Sequence, residues 1–154
     1  MDYIINNCIN DEFIEFINDN KKLNFKYYKD NEFNKKINEL CKRLNKKLKI
    51  DLSDCYNISD VSNLGSVHTL NLSGCNNISD VSKLGSVNTL DLIYCKKIKD
   101  IGLLKNTKEL KLTTKVYGIH LLKNIKIIET KKDLNVDGIK KLLKINKEVI
   151  VKFI

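Results

Sequence analysis

Apolar residues recur along this chain in two alternating rhythms, and the alternation itself repeats. The stretch Asn57 to Leu72 (NISDVSNLGSVHTLNL) returns almost unchanged as Asn77 to Leu92 (NISDVSKLGSVNTLDL), a period of 20 residues. Each copy closes on an apolar-x-apolar pair. The frame extends outward to Ile50/Leu52, Leu70/Leu72, Leu90/Leu92 and Leu110/Leu112, with a looser continuation at Ile128/Thr130 and Val149/Val151. The last two spacings are 18 and 21 residues, so six turns are expected. A side-chain period of two suits a short strand whose alternate residues point inward, and strands one period apart would stack in parallel about 4.8 Å from one another. Between the pairs, apolar residues fall three apart at Ile58, Val61, Leu64, Val67 and again at Ile78, Val81, Leu84, Val87. That spacing suits a tight helical return with one face inward. Gly65 and Gly85 are assigned to the outer corner, where freedom from side-chain restriction lets the chain turn. The last two returns read as α-helix, most clearly Asn135 to Lys147 with Ile139, Leu142 and Leu143 inward.

The first 47 residues lack the repeat, and a stacked array with an open end would expose its core, so a mainly helical cap is expected over residues 1–47. Asn31 is placed to cap a helix carrying Phe33, Ile37, Leu40, Cys41, Leu44 and Leu48 on one face, and Asp11 to Ile17 suits a shorter helix with Phe13, Ile14 and Ile17 inward. Between them Leu23, Phe25 and Tyr27 alternate, which fits a short strand or extended linker. The predicted fold is α/β: over residues 48–154, parallel strands line a concave face and tight helical returns form the convex one.

The segment Val67-x-x-Leu70-x-Leu72-x-x-Cys75-x-x-Ile78 resembles the leucine-rich-repeat signature with cysteine in place of the commoner asparagine, and Ile78-Ser79-Asp80-Val81 resembles the returns of internalin-type repeats. The resemblance spans about residues 48–154 and is strongest to residue 112. It implies a non-catalytic solenoid that binds a partner protein on its concave face. Near-identical tandem copies in a chain rich in Lys, Asn and Ile also resemble the leucine-rich-repeat gene families of insect poxviruses and other large DNA viruses, which would imply a viral protein directed at a host protein. Two further stretches are similar to an F-box: Ile9-Asn10-Asp11-Glu12-Phe13-Ile14-Glu15-Phe16-Ile17 to its opening and Leu40-Cys41-Lys42-Arg43-Leu44 to its later segment. Asparagine stands where the F-box has its proline and leucine where it has its tryptophan. That resemblance would imply a ubiquitin-ligase substrate adaptor with a ligase scaffold as partner, and it stands beside the plain cap as an alternative.

Charge changes this picture only locally. The net +9 divides unevenly, with residues 1–48 at +2, residues 49–95 at −3 and residues 96–154 at +10. A basic excess ordinarily points to an acidic partner such as nucleic acid. Here Lys140, Lys141, Lys144 and Lys147, preceded by Lys131 and Lys132, form the outer face of the last helix without interleaved aromatics, and Arg43 is the only arginine. Weak, non-specific polyanion binding is the most such a face supports, so nucleic acid is not the expected partner. Much of the lysine excess also matches what an AT-rich coding sequence produces. No stretch approaches the roughly 20 apolar residues of a membrane span, and the sequence opens with Asp2 rather than a basic segment followed by an apolar one, so no membrane partner and a cytoplasmic location are expected.

The five cysteines are odd in number, and Cys55, Cys75 and Cys95 recur once per unit, so reduced thiols are expected. Ladder positions one strand apart do not converge on a tetrahedral ion, so no metal or other cofactor is expected, and each thiol is read as a buried filler beside backbone groups. His68 and His120 do not pair in sequence and are placed at the surface or rim. The Ser59-Asp60 and Ser79-Asp80 pairs belong to the repeat, where Asp or Ser bonds local backbone. With no glycine-rich phosphate loop or nucleophile motif, no catalytic residues are assigned. Binding is assigned to the concave face, whose central column reads Asp51, Asn71, Asp91, Lys111, Glu129, Ile150. Thr69 and Thr89 stand in one flanking column with Ile127, and Ile93 in the other, before Lys152. Ile93, Ile127 and Ile150 are expected to be exposed anchors. Tyr56 and Tyr94, taken to share an offset after the strand, are candidate rim contacts.

Overall fold

In a computed structural model of the protein, residues 11–154 are described. Cys8 and the Ile9-Asn10 opening of the F-box-like stretch lie outside them. The described chain is α/β, with six parallel strands in one sheet ordered as in sequence. These are β1 (Lys49–Asp51), β2 (Thr69–Asn71), β3 (Thr89–Leu92), β4 (Glu109–Leu112), β5 (Ile127–Thr130) and β6 (Ile150–Phe153). Four α-helices accompany them: α1 (Asp11–Asn18), α2 (Lys21–Lys29) and α3 (Asn31–Leu44) before the sheet, and α4 (Val136–Ile145) between β5 and β6.

The strands are short because each supplies only two inward positions before the chain must return. Ile50, Leu70, Leu90, Leu110 and Ile128 pair across consecutive strands, and all are 2% exposed or less. The returns carry their apolar residues three apart, and Ile58, Val61, Leu64 and Val67 are buried with their equivalents one period on. Those returns tighten into 3-10 turns at Ser62–Leu64 and Ser82–Leu84. One core cluster runs from Ile14 to Val149 through every unit, so each layer of side chains is closed by its neighbours.

Five expectations need correction. Lys21–Lys29 is a helix, not a strand: Asn20 accepts from the Leu23 amide at 3.1 Å and caps it, and Asn24 and Tyr27, three apart, are its buried residues. Three alternating residues are too few to outweigh a capped helical turn. The cap of α3 is Asp30, which accepts from Phe33 N–H at 2.9 Å, and the helix ends at Asn45 in the left-handed region, leaving Leu48 outside it. Of the last two returns only the final one is α-helical; the other holds a single 3-10 turn, Ile119–Leu121. Gly65 and Gly85 have ordinary right-handed φ values of −65° and −60°. They are small because the next unit lies against them: a Cβ on Gly65 would run into the Lys83 carbonyl oxygen, and one on Gly85 would lie 2.6 Å from that of Leu103.

The fifth correction moves a site residue. Ile128 pairs with Val151, and Ile127 with Ile150, so the last spacing is 23 residues rather than 21. A two-residue slip preserves which face a side chain occupies but changes its column. Ile150 therefore flanks the central column beside Ile127, and Lys152 takes the place in line with Glu129.

The first units are joined to the helices by side-chain amides, the central ones buried. Asn24, 1% exposed, donates to Ile17 O at 2.6 Å and Asn20 O at 2.8 Å while its oxygen accepts from Asp51 N–H. Asn18 accepts from Lys49 N–H at 2.8 Å. Asn34 donates to Tyr27 O and Asn63 O, and the buried Tyr27 hydroxyl donates to Asn38 Oδ1 at 2.8 Å with Ser66 Oγ at 3.2 Å. Gly85→Ala is expected to cost about 1–3 kcal/mol, since the backbone carbonyl it meets cannot swing aside. Urea denaturation would read it, and an unchanged midpoint would contradict the close approach.

Candidate functional site

The outward side chains of the strands form an open face with one residue per unit in each column. Registered pairing brings Asp51, Asn71, Asp91, Lys111, Glu129 and Lys152 into the central column, with Lys49, Thr69, Thr89, Glu109, Ile127 and Ile150 beside it. Lys21 reaches this face from α2, its ammonium 3.1 Å from Ser53 Oγ.

The N-terminal half of the central column has a structural task as well as an outward position. Asp51, Asn71 and Asp91 each accept, through Oδ1, from the backbone N–H two residues on, at Ser53, Ser73 and Ile93, over 2.8–3.0 Å. The side chain thus ends the strand and starts the turn. Asp60 and Asp80 do the same in the returns, bonding Ser62 N–H and Ser82 N–H, and those bonds hold both carboxyls below their ordinary pKa. Asp91 goes the other way: desolvation raises its pKa, outweighing the bond from Ile93 and the charge of Lys111.

The C-terminal half is an ion-paired row. Glu129 lies between two lysines, 3.2 Å from the Lys111 ammonium and 3.5 Å from that of Lys152. Partial burial alone would raise its pKa, but the two lysines prevail and lower it. Ile150 is 54% exposed, whereas Ile93 and Ile127, expected to be exposed, are partly buried. The tyrosines do not share an offset. Tyr94 stands two residues after its strand pair, in line with Asp54 and Gly74, and all three have positive φ, at 62°, 59° and 78°. Tyr56 falls two places later in the unit. Both rings are more than half exposed.

Cys75 and Cys95 are fully buried, each thiol donating to the carbonyl of the preceding unit, at Leu52 (3.1 Å) and Leu72 (3.0 Å). Burial pushes their pKa to about 11 and about 12, so both stay protonated near neutrality. Cys55 has no earlier unit to bond and is half-buried. Asn135 performs a comparable bridging role near the other end, which the sequence did not single out. Its amide accepts from Val116 N–H at 2.9 Å and donates to Thr114 O at 3.1 Å.

His68 sits beside the face, with Nδ1 3.1 Å from Thr69 Oγ1, and desolvation together with Lys47 and Lys108 lowers its pKa. His120 lies elsewhere, in an open cleft of about 470 Å³ shared with Lys115, Asp133, Asp137 and Lys141. Among the described residues no group of three or more His, Cys, Asp or Glu is placed to hold a metal, and no helix is long and apolar enough to cross a membrane. Compared with known proteins, the chain matches no family model and no curated protein.

Ionised Asp91 is disfavoured by folding, so its penalty is present above the raised folded pKa and disappears below the ordinary carboxylate value of about 4. Asp91→Asn keeps the acceptor, as Asn71 does naturally, and removes the charge. It is expected to raise the melting temperature at pH 7, with the gain shrinking to nothing as pH falls to about 4. Asp91→Ala should instead lose about 1 kcal/mol by leaving the Ile93 amide without its acceptor. Thermal melts across pH would check both, and a gain for Asp91→Asn that persists in acid would refute the assignment.

Proposed function

We propose that the chain is a leucine-rich-repeat solenoid of the short, cysteine-containing kind, and that it binds a partner protein, without catalysis, on the concave side formed by its outward strand residues. The observation that carries this reading is the registered face itself. Six strands place small polar, charged and apolar side chains in adjacent columns on one open surface, the mixture from which protein interfaces are built. The thiol of each buried ladder cysteine bonds the preceding unit, as the repeat signature would require.

Tyr94 gives the reading a focus. The preceding unit meets the same backbone geometry with Gly74, which adopts it freely, while a tyrosine held there costs about 1 kcal/mol. An exposed aromatic retained at an unfavourable φ, next to Ile93, is the pattern of a residue kept for contact rather than for folding.

The bonding of the helices into β1 through Asn18 and Asn24, and to Ser66 of the first return through Tyr27, supports the cap reading of the N-terminal segment over the F-box-like adaptor. A segment whose amides complete the first strand is committed to the sheet.

Tyr94→Asn is expected to leave stability unchanged or raise it by up to about 1 kcal/mol, since asparagine tolerates this φ, and to weaken partner binding. Thr69→Arg with Thr89→Arg should abolish capture of the partner from cell extracts. Replacing Lys140, Lys141, Lys144 and Lys147 by glutamine should leave capture intact, and the protein should not be retained on DNA at about 0.15 M salt. Capture indifferent to the face variants but lost with the four lysines would overturn the proposal in favour of a polyanion binder.

A further inference from the structure

Immediately before the strands runs a further row of side chains. The carbonyls of Leu48, His68, Asn88 and Lys108 each accept from the two amides that open the next unit, at residues 68 and 69, 88 and 89, 108 and 109, and 126 and 127. His68, Asn88, Lys108 and Lys126 therefore stand in register, one strand spacing apart, along the entry edge of the sheet. His68 Nδ1 lies 3.1 Å from Thr69 Oγ1 and Asn88 Nδ2 donates to Thr89 Oγ1 at 3.4 Å, so both side chains bend toward the outward threonines. Lys49, paired with Thr69, and Lys47 before it extend this edge past the first unit. Lys47, Lys49, Lys108 and Lys126 are exposed, and none of them forms an ion pair among the described residues. Acids stand further across the face: Glu109 in the adjacent column, then Asp91 and Glu129 in the central one.

We propose that this row receives an acidic segment of the partner protein, with a carboxylate seated against His68 between Lys49 and Lys108. The proposal rests on the concave-face reading and adds the charge of what is bound there. Unpaired ammonium groups and an imidazole along one edge are complementary to carboxylates. A polynucleotide fits poorly: a continuous line of phosphates would meet Glu109 beside the row, and the row offers neither an aromatic ring for a base to stack on nor an arginine to read one. A protein segment can carry carboxylates on the side facing the row and neutral or basic groups toward Asp91 and Glu129. His68 makes the contact sensitive to pH. Desolvation lowers its pKa most, Lys47, Lys108 and Lys49 lower it further, and Glu109 opposes them, so the free ring is largely neutral at pH 7. A carboxylate against the ring favours the imidazolium, and binding therefore takes up a proton. The resulting gain in affinity is full below the lowered pKa of the free ring and is lost as pH rises through the pKa of the bound one.

The test titrates the full 154-residue chain with a blocked hexaglutamate peptide and follows amide and imidazole NMR signals; His68 and His120 are the only histidines, so one ring reports on the row and the other serves as control. Saturable shifts are expected at residues 68, 69, 88 and 108, with a raised His68 pKa and an unmoved His120. Binding should be roughly tenfold tighter at about pH 6 than at about pH 8. His68→Asn and Lys108→Asn install the residue that Asn88 already places in the row, and Lys49→Thr the one that Thr69 places in its column, so the fold should be retained. His68→Asn should remove the pH dependence and keep the binding seen at about pH 8. Lys49→Thr with Lys108→Asn should weaken binding roughly tenfold at either pH. The proposal is overturned by the absence of a saturable shift at His68, by equal shifts at His120, by pH dependence that survives His68→Asn, or by tighter binding of an oligothymidylate of equal charge. The readout needs no native partner, so its failure is separable from that of the capture experiment with the Thr69 and Thr89 variants, which tests the concave-face reading itself.

Discussion

Each strand-and-return unit of this protein is too thin to bury its own apolar residues, and that constraint shapes nearly everything else. Inward strand positions cannot be dry within one unit; Leu70, Leu72, Ile78 and Val81 are buried because the units before and after lie against them. The same dependence governs the backbone. The carbonyls of Leu48, His68, Asn88 and Lys108 each accept from two consecutive amides of the next unit, and the thiols of Cys75 and Cys95 reach back to the unit before. Even the glycines at 65 and 85 answer to it, since the neighbouring carbonyl occupies the space a Cβ would fill.

A structure that depends on its neighbours has a problem at each end. At the first strand the solution is polar: the side-chain amides of Asn18 and the buried Asn24 replace the missing strand, and Tyr27, Asn34 and Asn38 extend the network into the first return. These groups are satisfied by specific partners, which makes burial of so many polar atoms tolerable and the attachment of the helices directional. At the last strand Ile150 and Phe153 stand exposed beside the charged Lys152.

On the outward face, structural duties fall on some side chains and leave others unengaged. Asp51, Asn71 and Asp91 end their strands through their own side chains, so part of each is committed to the turn while the rest faces solvent. Glu129 is tied to Lys111 and Lys152. Side chains without such duties, above all Tyr94 and Ile150, are the ones the proposed contact would use, and Tyr94 occupies its place against the preference of its backbone.

The strand positions from Ile50 to Ile128 and the returns with their three-residue spacing can be read from the amino-acid order alone, because stacking imposes the same burial on the same place in each unit and so repeats the residue type. The cysteines are legible for the same reason. Other features depend on contacts that leave no period. Leu23, Phe25 and Tyr27 look like a strand until Asn20 caps the helix that contains them. Asn24 and Asn135 look like surface asparagines, because nothing local distinguishes an amide that will bridge two units from one that will face water. The column of Ile150 is not legible either, because the last return contains a helix of its own, and only its packing against the preceding turn decides how many residues pass before the next strand. Residue order dictates what every regular unit must bury, whereas the irregular ends are completed only in the folded chain, since their partners are distant in sequence and answer to no repeating local demand.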